Sequence, residues 1–205
     1  MDPQKTTVKK ISSGVWAFEQ EIVRCFLIVG QARAMLLDTG AEPCDLLKSI
    51  RSITQLPLVV LHTHGDGDHT ANDDLFPDIH AHPAEFETIR RFRPNLRSNL
   101  HPITGLSSFD LGERVLQVIE TPGHTPGHIC LYNKDEKLLI TGDTLFRHEC
   151  GRCDLEGGDF SAMLRSLKRL HDLDGDFKVF PGHEGISTLN EERAYNPYML
   201  QAMGK

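Results

Sequence analysis

The chain has 205 residues, 39% hydrophobic and 25% charged, with a formal net charge of −7 when histidine is neutral. That length and balance fit a globular protein with a sizeable buried core. The acidic surplus argues against nucleic acid or an anionic membrane as the main partner, since both are recognised by clustered Lys and Arg.

The N-terminal MDPQKTTVKKISSGVW has neither the apolar centre nor the cleavage pattern of a signal peptide. VWAFEQ, RCFLIVG and RAMLLDTG read as three short strands, apolar and bounded by glycine. EPCDLLKSIRSI predicts a helix with Pro43 in its first turn and Leu46, Leu47 and Ile50 on one face. LPLVVLH is a continuous apolar run, the pattern of a buried strand, and HTHGDGDHTAN follows it as a loop. IHAHP predicts a strand and AEFETIRRF a helix, whereas residues 93–112 read as irregular. RVLQVIET, HICLYN and KLLITGD are three more strands, the first alternating with period 2. FSAMLRSLKRLHDL predicts an amphipathic helix burying Phe160, Met163, Leu164, Leu167 and Leu170. FKVFPGHEG is a strand ending at Pro181, and EERAYNPYMLQAM a final short helix. No repeat, linker or low-complexity tract interrupts the chain, so residues 1–205 read as a single α/β layered domain. No run approaches the roughly 18 apolar residues of a membrane helix. The odd set Cys25, Cys44, Cys130, Cys150 and Cys153 suggests reduced thiols and a cytoplasmic setting.

Eleven histidines are the one unusual bulk feature. Histidines and aspartates recur just past strand ends: His64, Asp66, Asp68 and His69 after LVVL, His124 after LQVIE, Asp143 after KLLI, His183 after KVF. Loops at strand ends are where a rigid sheet holds functional groups. Imidazoles and carboxylates are ligands for zinc, iron and manganese. Two ions about 3.5–4 Å apart need a shared ligand, for which a carboxylate is suited.

Five motifs in register carry a resemblance: LLDTG with Asp38, the His/Asp-rich loop, TPGHTPGH, TGDTLF and the terminal PGH. Together they resemble the metallo-β-lactamase fold superfamily over nearly the whole length. The run from GDTLF through CGR, GGDF and PGH to EERAYNPYM resembles its hydroxyacylglutathione hydrolase (glyoxalase II)-like branch. The resemblance implies a four-layer αβ/βα sandwich with a dinuclear site at one edge of its sheets. The first ion would take His64, the residue at 66, and His124; the second Asp68, His69 and His183. Asp143 would bridge both, and Asp38 would brace the loop. The family pattern His-x-His-x-Asp-His ends in an adjacent Asp-His, which here is Asp68-His69. That frame leaves His62 outside and puts Asp66 where relatives carry histidine. The alternative frame, starting at His62, lacks the final histidine.

The implied activity is metal-dependent hydrolysis of a small thioester or ester, with a hydroxide shared by two divalent ions as nucleophile. Asp68 would orient it and carry a proton, and Asp143 would join the ions. Asp66 lowers the formal charge of such a centre by one and favours iron or manganese over an all-imidazole set, with zinc the default. No GxSxG elbow is present. Asp154 stands where glutathione-binding relatives have a tyrosine, and Arg152 where they have a basic residue near the substrate. The separate helical glutathione-binding domain of longer relatives has no counterpart here. An iron oxidoreductase resembling persulfide dioxygenases, with one iron on His64, His124 and Asp143, is a second expectation; a non-catalytic metal-binding module is a third. His128 reads as a packed residue, His62 as structural or bracing, and His80, His82, His101, His148 and His171 as structural or surface groups. Cys150 and Cys153 read as non-redox, and 93–112 as a pocket wall whose arginines hint at an anionic substrate.

Overall fold

The computed structural model describes residues 6–205. The first five residues of the N-terminal stretch read above lie outside it. The described residues divide into two compact units, one running up to residue 103 and including 109–115, the other of 104–108 and 116–205.

The first unit is built on a seven-stranded sheet in sequential order. β1 (Thr7–Ser12), β2 (Val15–Glu19), β3 (Arg24–Val29) and β4 (Ala34–Leu37) form an antiparallel meander. β5 (Leu58–Leu61), β6 (Asp78–Ala81) and β7 (Asn99–Pro102) then add in parallel. Parallel neighbours need crossovers; α1 (Leu46–Ile53) supplies the one before β5, residues 62–77 the one before β6, and α2 (Phe86–Phe92) the one before β7. Leu46 and Ile50 of α1 pack with Phe18, Leu27, Leu36, Val60 and Ile79.

The second unit is built on β9 (Val115–Glu120), β10 (Ile129–Asn133), β11 (Leu138–Gly142), β14 (Lys178–Pro181) and β15 (Ser187–Thr188), in the sheet order β15-β14-β11-β10-β9; the short β8 (Ser108–Asp110) falls where the division between the units runs. β11 and β14 run parallel, joined through α3 (Phe160–His171). A two-stranded ribbon of β12 (Leu145–Phe146) and β13 (Glu149–Cys150) precedes α3. Met163, Leu167 and Leu170 of α3 pack with Cys130, Leu139, Phe177 and Val179. The chain ends in α4 (Leu189–Tyr195) and α5 (Pro197–Ala202).

Several elements differ from the sequence reading. α1 starts at Leu46, beyond Pro43. Asn72 accepts from the Cys44 N–H (2.8 Å) and donates to the carbonyls of Thr39 (2.6 Å) and Glu42 (2.9 Å), which holds 39–44 off the helix axis. Residues 93–112 contain β7 and β8, formed by backbone pairing without apolar alternation. Phe160 is 39% exposed, and Ala162 and Ser166 complete the buried stripe. The final helix is two, because the Asn196 side chain caps Tyr198 and Met199 and Pro197 opens the second. All five cysteines are free. No helix among the described residues is long and apolar enough to cross a membrane.

Candidate metal centre

In the first unit, parallel pairing brings two loops together. The register Leu37 opposite Leu61 sets Asp38 beside the residues that follow β5. Asp38 adopts φ 60, a left-handed conformation that a non-glycine residue holds only when its surroundings impose it. Here they do. Its Oδ1 accepts the Thr63 N–H at 2.8 Å, and its Oδ2 accepts the Thr63 hydroxyl at 2.8 Å.

This carboxylate orients two imidazoles. His69 Nδ1 lies 2.9 Å from Asp38 Oδ2, so Nδ1 carries the proton and Nε2 the lone pair. The Thr63 hydroxyl gives its proton to Asp38 and therefore accepts from His64 Nδ1 at 3.1 Å, leaving His64 Nε2 the lone pair. Each Nε2 then faces a carboxylate. His64 Nε2 is 3.7 Å from Asp66 Oδ2, and His69 Nε2 is 3.9 Å from Asp68 Oδ2. The four residues thus sort into the pairs His64/Asp66 and Asp68/His69.

Beneath them lies a buried ionic chain. His62 Nε2 sits 3.0 Å from Asp73 Oδ1, and His62 Nδ1 3.4 Å from Asp38 Oδ1; all three residues are at most 3% exposed. Burial opposes charging His62, but Asp73 and Asp38 outweigh it and push its pKa up to about 10. Burial likewise opposes charging Asp38, yet His69 and His62 hold it well below the usual carboxylate range. Its place between two carboxylates favours the imidazolium form of His62. The loop itself is held by the buried Glu85, whose Oε2 accepts the Gly65 N–H at 2.8 Å. Arg93 donates to the carbonyls of Thr70 (2.6 Å) and Gly67 (3.1 Å). Read from sequence as part of a pocket wall, Arg93 in fact clamps this loop.

The second unit holds its donors by neutral bonds. The His124 Nδ1–H donates to the Arg152 carbonyl at 2.7 Å, so its Nε2 carries the lone pair. Parallel pairing of Gly142 with Pro181 brings Asp143 beside His183. Asp143 Oδ2 is 3.2 Å from His183 Nε2 and 3.8 Å from His124 Nε2. The Asp143 N–H donates to His128 Nε2 at 2.9 Å, which places the His128 proton on Nδ1, 3.0 Å from the Thr121 and Thr144 hydroxyls. His128 is fully buried and anchors the Asp143 backbone. At Gly151 an added Cβ would stand 1.8 Å from the Asp143 carbonyl oxygen, so only glycine fits.

The donor chemistry fits metal ions. Lone-pair nitrogens facing carboxylate oxygens at 3.7–3.9 Å are beyond hydrogen-bond range. Two ligands each about 2.0–2.2 Å from one ion stand roughly 3–4 Å apart. Fixed Nδ1–H donors are the outer support that metal-bound imidazoles require. Nearby groups fit other chemistry less well. Arg152 forks onto Asp154 at 2.8 and 2.9 Å, both exposed. Burial pushes the Cys150 thiol up to about 12 and raises that of Cys153, so neither supplies a ready thiolate.

The seven candidate ligands and Asp38 are legible in the sequence, whereas Asp73, Glu85, the Arg93 clamp and the anchoring role of His128 are not. Asp73 and Glu85 belong to no motif and carry no local signal. His128 could have been suspected from its place in the doubled TPGH.

A family model described as the metallo-beta-lactamase superfamily matches residues 19–183. An uncharacterized protein of Aquifex aeolicus (strain VF5) is 31% identical over 86% of this chain and 91% of its own. The hydroxyacylglutathione hydrolase GloC of Haemophilus influenzae is 29% identical over 90% and 95%. The crystal structure of TTHA1623 in a di-iron-bound form superposes with a TM-score of 0.76 at 26% identity, covering 95% of this chain and 99% of that one.

Proposed function

The chain belongs to the metallo-beta-lactamase superfamily and has its α/β sandwich fold, and from that premise we propose a metal-dependent hydrolase acting on a small thioester or ester. In this reading residues 1–205 work as one domain. His64, Asp66 and His124 hold one divalent ion, Asp68, His69 and His183 a second, and Asp143 is shared. The observation that carries the reading is the fixing of His64, His69 and His124 with Nδ1 protonated and Nε2 directed at a carboxylate. Likeness to a hydroxyacylglutathione hydrolase along 90% of the chain supports the hydrolase class.

When bound, the ions would supply an acidified water and a Lewis acid for a carbonyl oxygen. The rest is the work of the chain. Asp68, whose side chain is 35% exposed beside the buried His69, orients the attacking water and passes its proton to the leaving group. Asp38 and His62 keep the His69 tautomer fixed through turnover. Arg152 is already paired with Asp154, so the reading does not require a strongly anionic glutathione-type substrate.

The test combines elemental analysis of protein purified without added metal with turnover assays on thioesters, esters and lactones. We expect about two ions per chain and turnover that D143N and D68N abolish. Metal-replete protein inert on all three substrate classes would sink the proposal. A second reading, an iron oxidoreductase, is favoured by the oxygen donor at Asp66 and by likeness to a protein crystallised in a di-iron-bound form. Iron in the purified protein, with oxygen uptake on a glutathione persulfide, would establish it instead.

A further inference from the structure

We propose a separate divalent-cation site in the second unit, formed by His148, Glu191 and Glu192. His148 sits in the turn of the β12–β13 ribbon at φ 60, and the two glutamates lie in the first turn of α4. One donor atom from each of the three lies within 4.8 Å of the others. His148 Nε2 is 3.1 Å from Glu191 Oε1.

Two buried atoms point to a cation at this place. Glu192 is 0% exposed. Its Oε2 accepts from the His148 N–H and from Asn196 Nδ2, each at 2.9 Å, whereas its Oε1 has no hydrogen-bond partner. His148 Nε2 is also shut off from solvent and makes no hydrogen bond of acceptable geometry, although the rest of its side chain is 43% exposed. A buried carboxylate oxygen left unmatched is costly. One nitrogen and two carboxylates form a ligand set suited to zinc. Arg147 is the competing cation, with Nε and a terminal nitrogen each 3.0 Å from Glu191 Oε1. It is 53% exposed, and exposed ion pairs are weak enough to yield to a multidentate ion. The ion would tie the ribbon to α4. The ribbon's Phe146 packs edge-on to His183 at 5.8 Å, so the tie would steady one proposed ligand of the main centre without sharing its donors.

The test is equilibrium dialysis of the full chain against Zn²⁺ followed by elemental analysis, for the wild type, H148G and E191Q. Glycine suits the left-handed backbone at 148, so H148G should fold, with a circular dichroism spectrum like that of the wild type. We expect the wild type to hold one zinc more than either variant. The same difference should persist when D143N disables the main centre, and zinc should raise Tm less in H148G than in the wild type. Equal zinc in the wild type and both variants overturns the proposal. So does a difference that vanishes in the D143N background, because the ion then belongs to the main centre.

Discussion

The donors after β5 and those after β9, β11 and β14 are the same residue types held by different means. His64 and His69 are oriented through Asp38, itself stabilised by His62, whose other ring nitrogen meets Asp73. His124 and Asp143 are oriented by a backbone carbonyl, a neutral imidazole and the close approach of Gly151. The first arrangement depends on a balance of buried charges and responds to pH. The second depends on shape and responds to volume. Breaking each by its own weakness tests the distinction.

The largest effect is expected from D38N. It removes the charge that orients two imidazoles and balances a buried imidazolium, and losing one member of a buried ion pair costs about 3–5 kcal/mol. Metal affinity should fall roughly 10–100-fold, as when outer-shell partners are lost; denaturant melts and metal titration measure the two. Unchanged metal affinity would remove Asp38 from the site.

G151A is the matching blow to the second arrangement. A methyl 1.8 Å from the Asp143 carbonyl must displace it, costing about 1–3 kcal/mol or more. Its stability loss should be the same at pH 7 and pH 9.5 by chemical denaturation, because no titrating group is involved.

The pH response isolates His62. Its folded-state pKa is raised, so its stabilisation is complete below its ordinary value near 6.5 and is lost as pH rises through about 10. In chelator-treated protein, Tm should therefore fall between pH 7 and 10.5, and H62Q should flatten that fall while lowering Tm at pH 7. An identical slope in both proteins would show that the imidazolium does not set the response.

The mildest change is D66H. Asp66 is partly exposed, so stability should move little. The zinc-to-iron ratio of purified protein should rise several-fold as an oxygen donor becomes a nitrogen donor.

Much of this was legible beforehand, because alternation and apolar runs follow from burial. β4 and β11 are buried throughout, β3 at its four central positions and β5 in its second half, and all four read as apolar runs; β9 alternates as its sequence does. Where burial was not the cause, the reading failed. β7 forms through backbone pairing to β6, and α1 is shortened by bonds from Asn72, 28 residues beyond Cys44. The break between the two terminal helices is itself local, since Asn196-Pro197 is a cap signal.

By itself the sequence determined the residue types of the candidate ligands and their placement just past strand ends, since both follow from residue identity and local pattern. Only the tertiary structure decided how those donors are oriented. Asp73 meets His62 across 11 positions, Glu85 meets Gly65 across 20, Asp38 meets His69 across 31, and Arg152 meets His124 across 28. A hydrogen bond or buried ion pair acts over about 3 Å, and that proximity comes from parallel register and loop closure, which no local pattern of residues encodes.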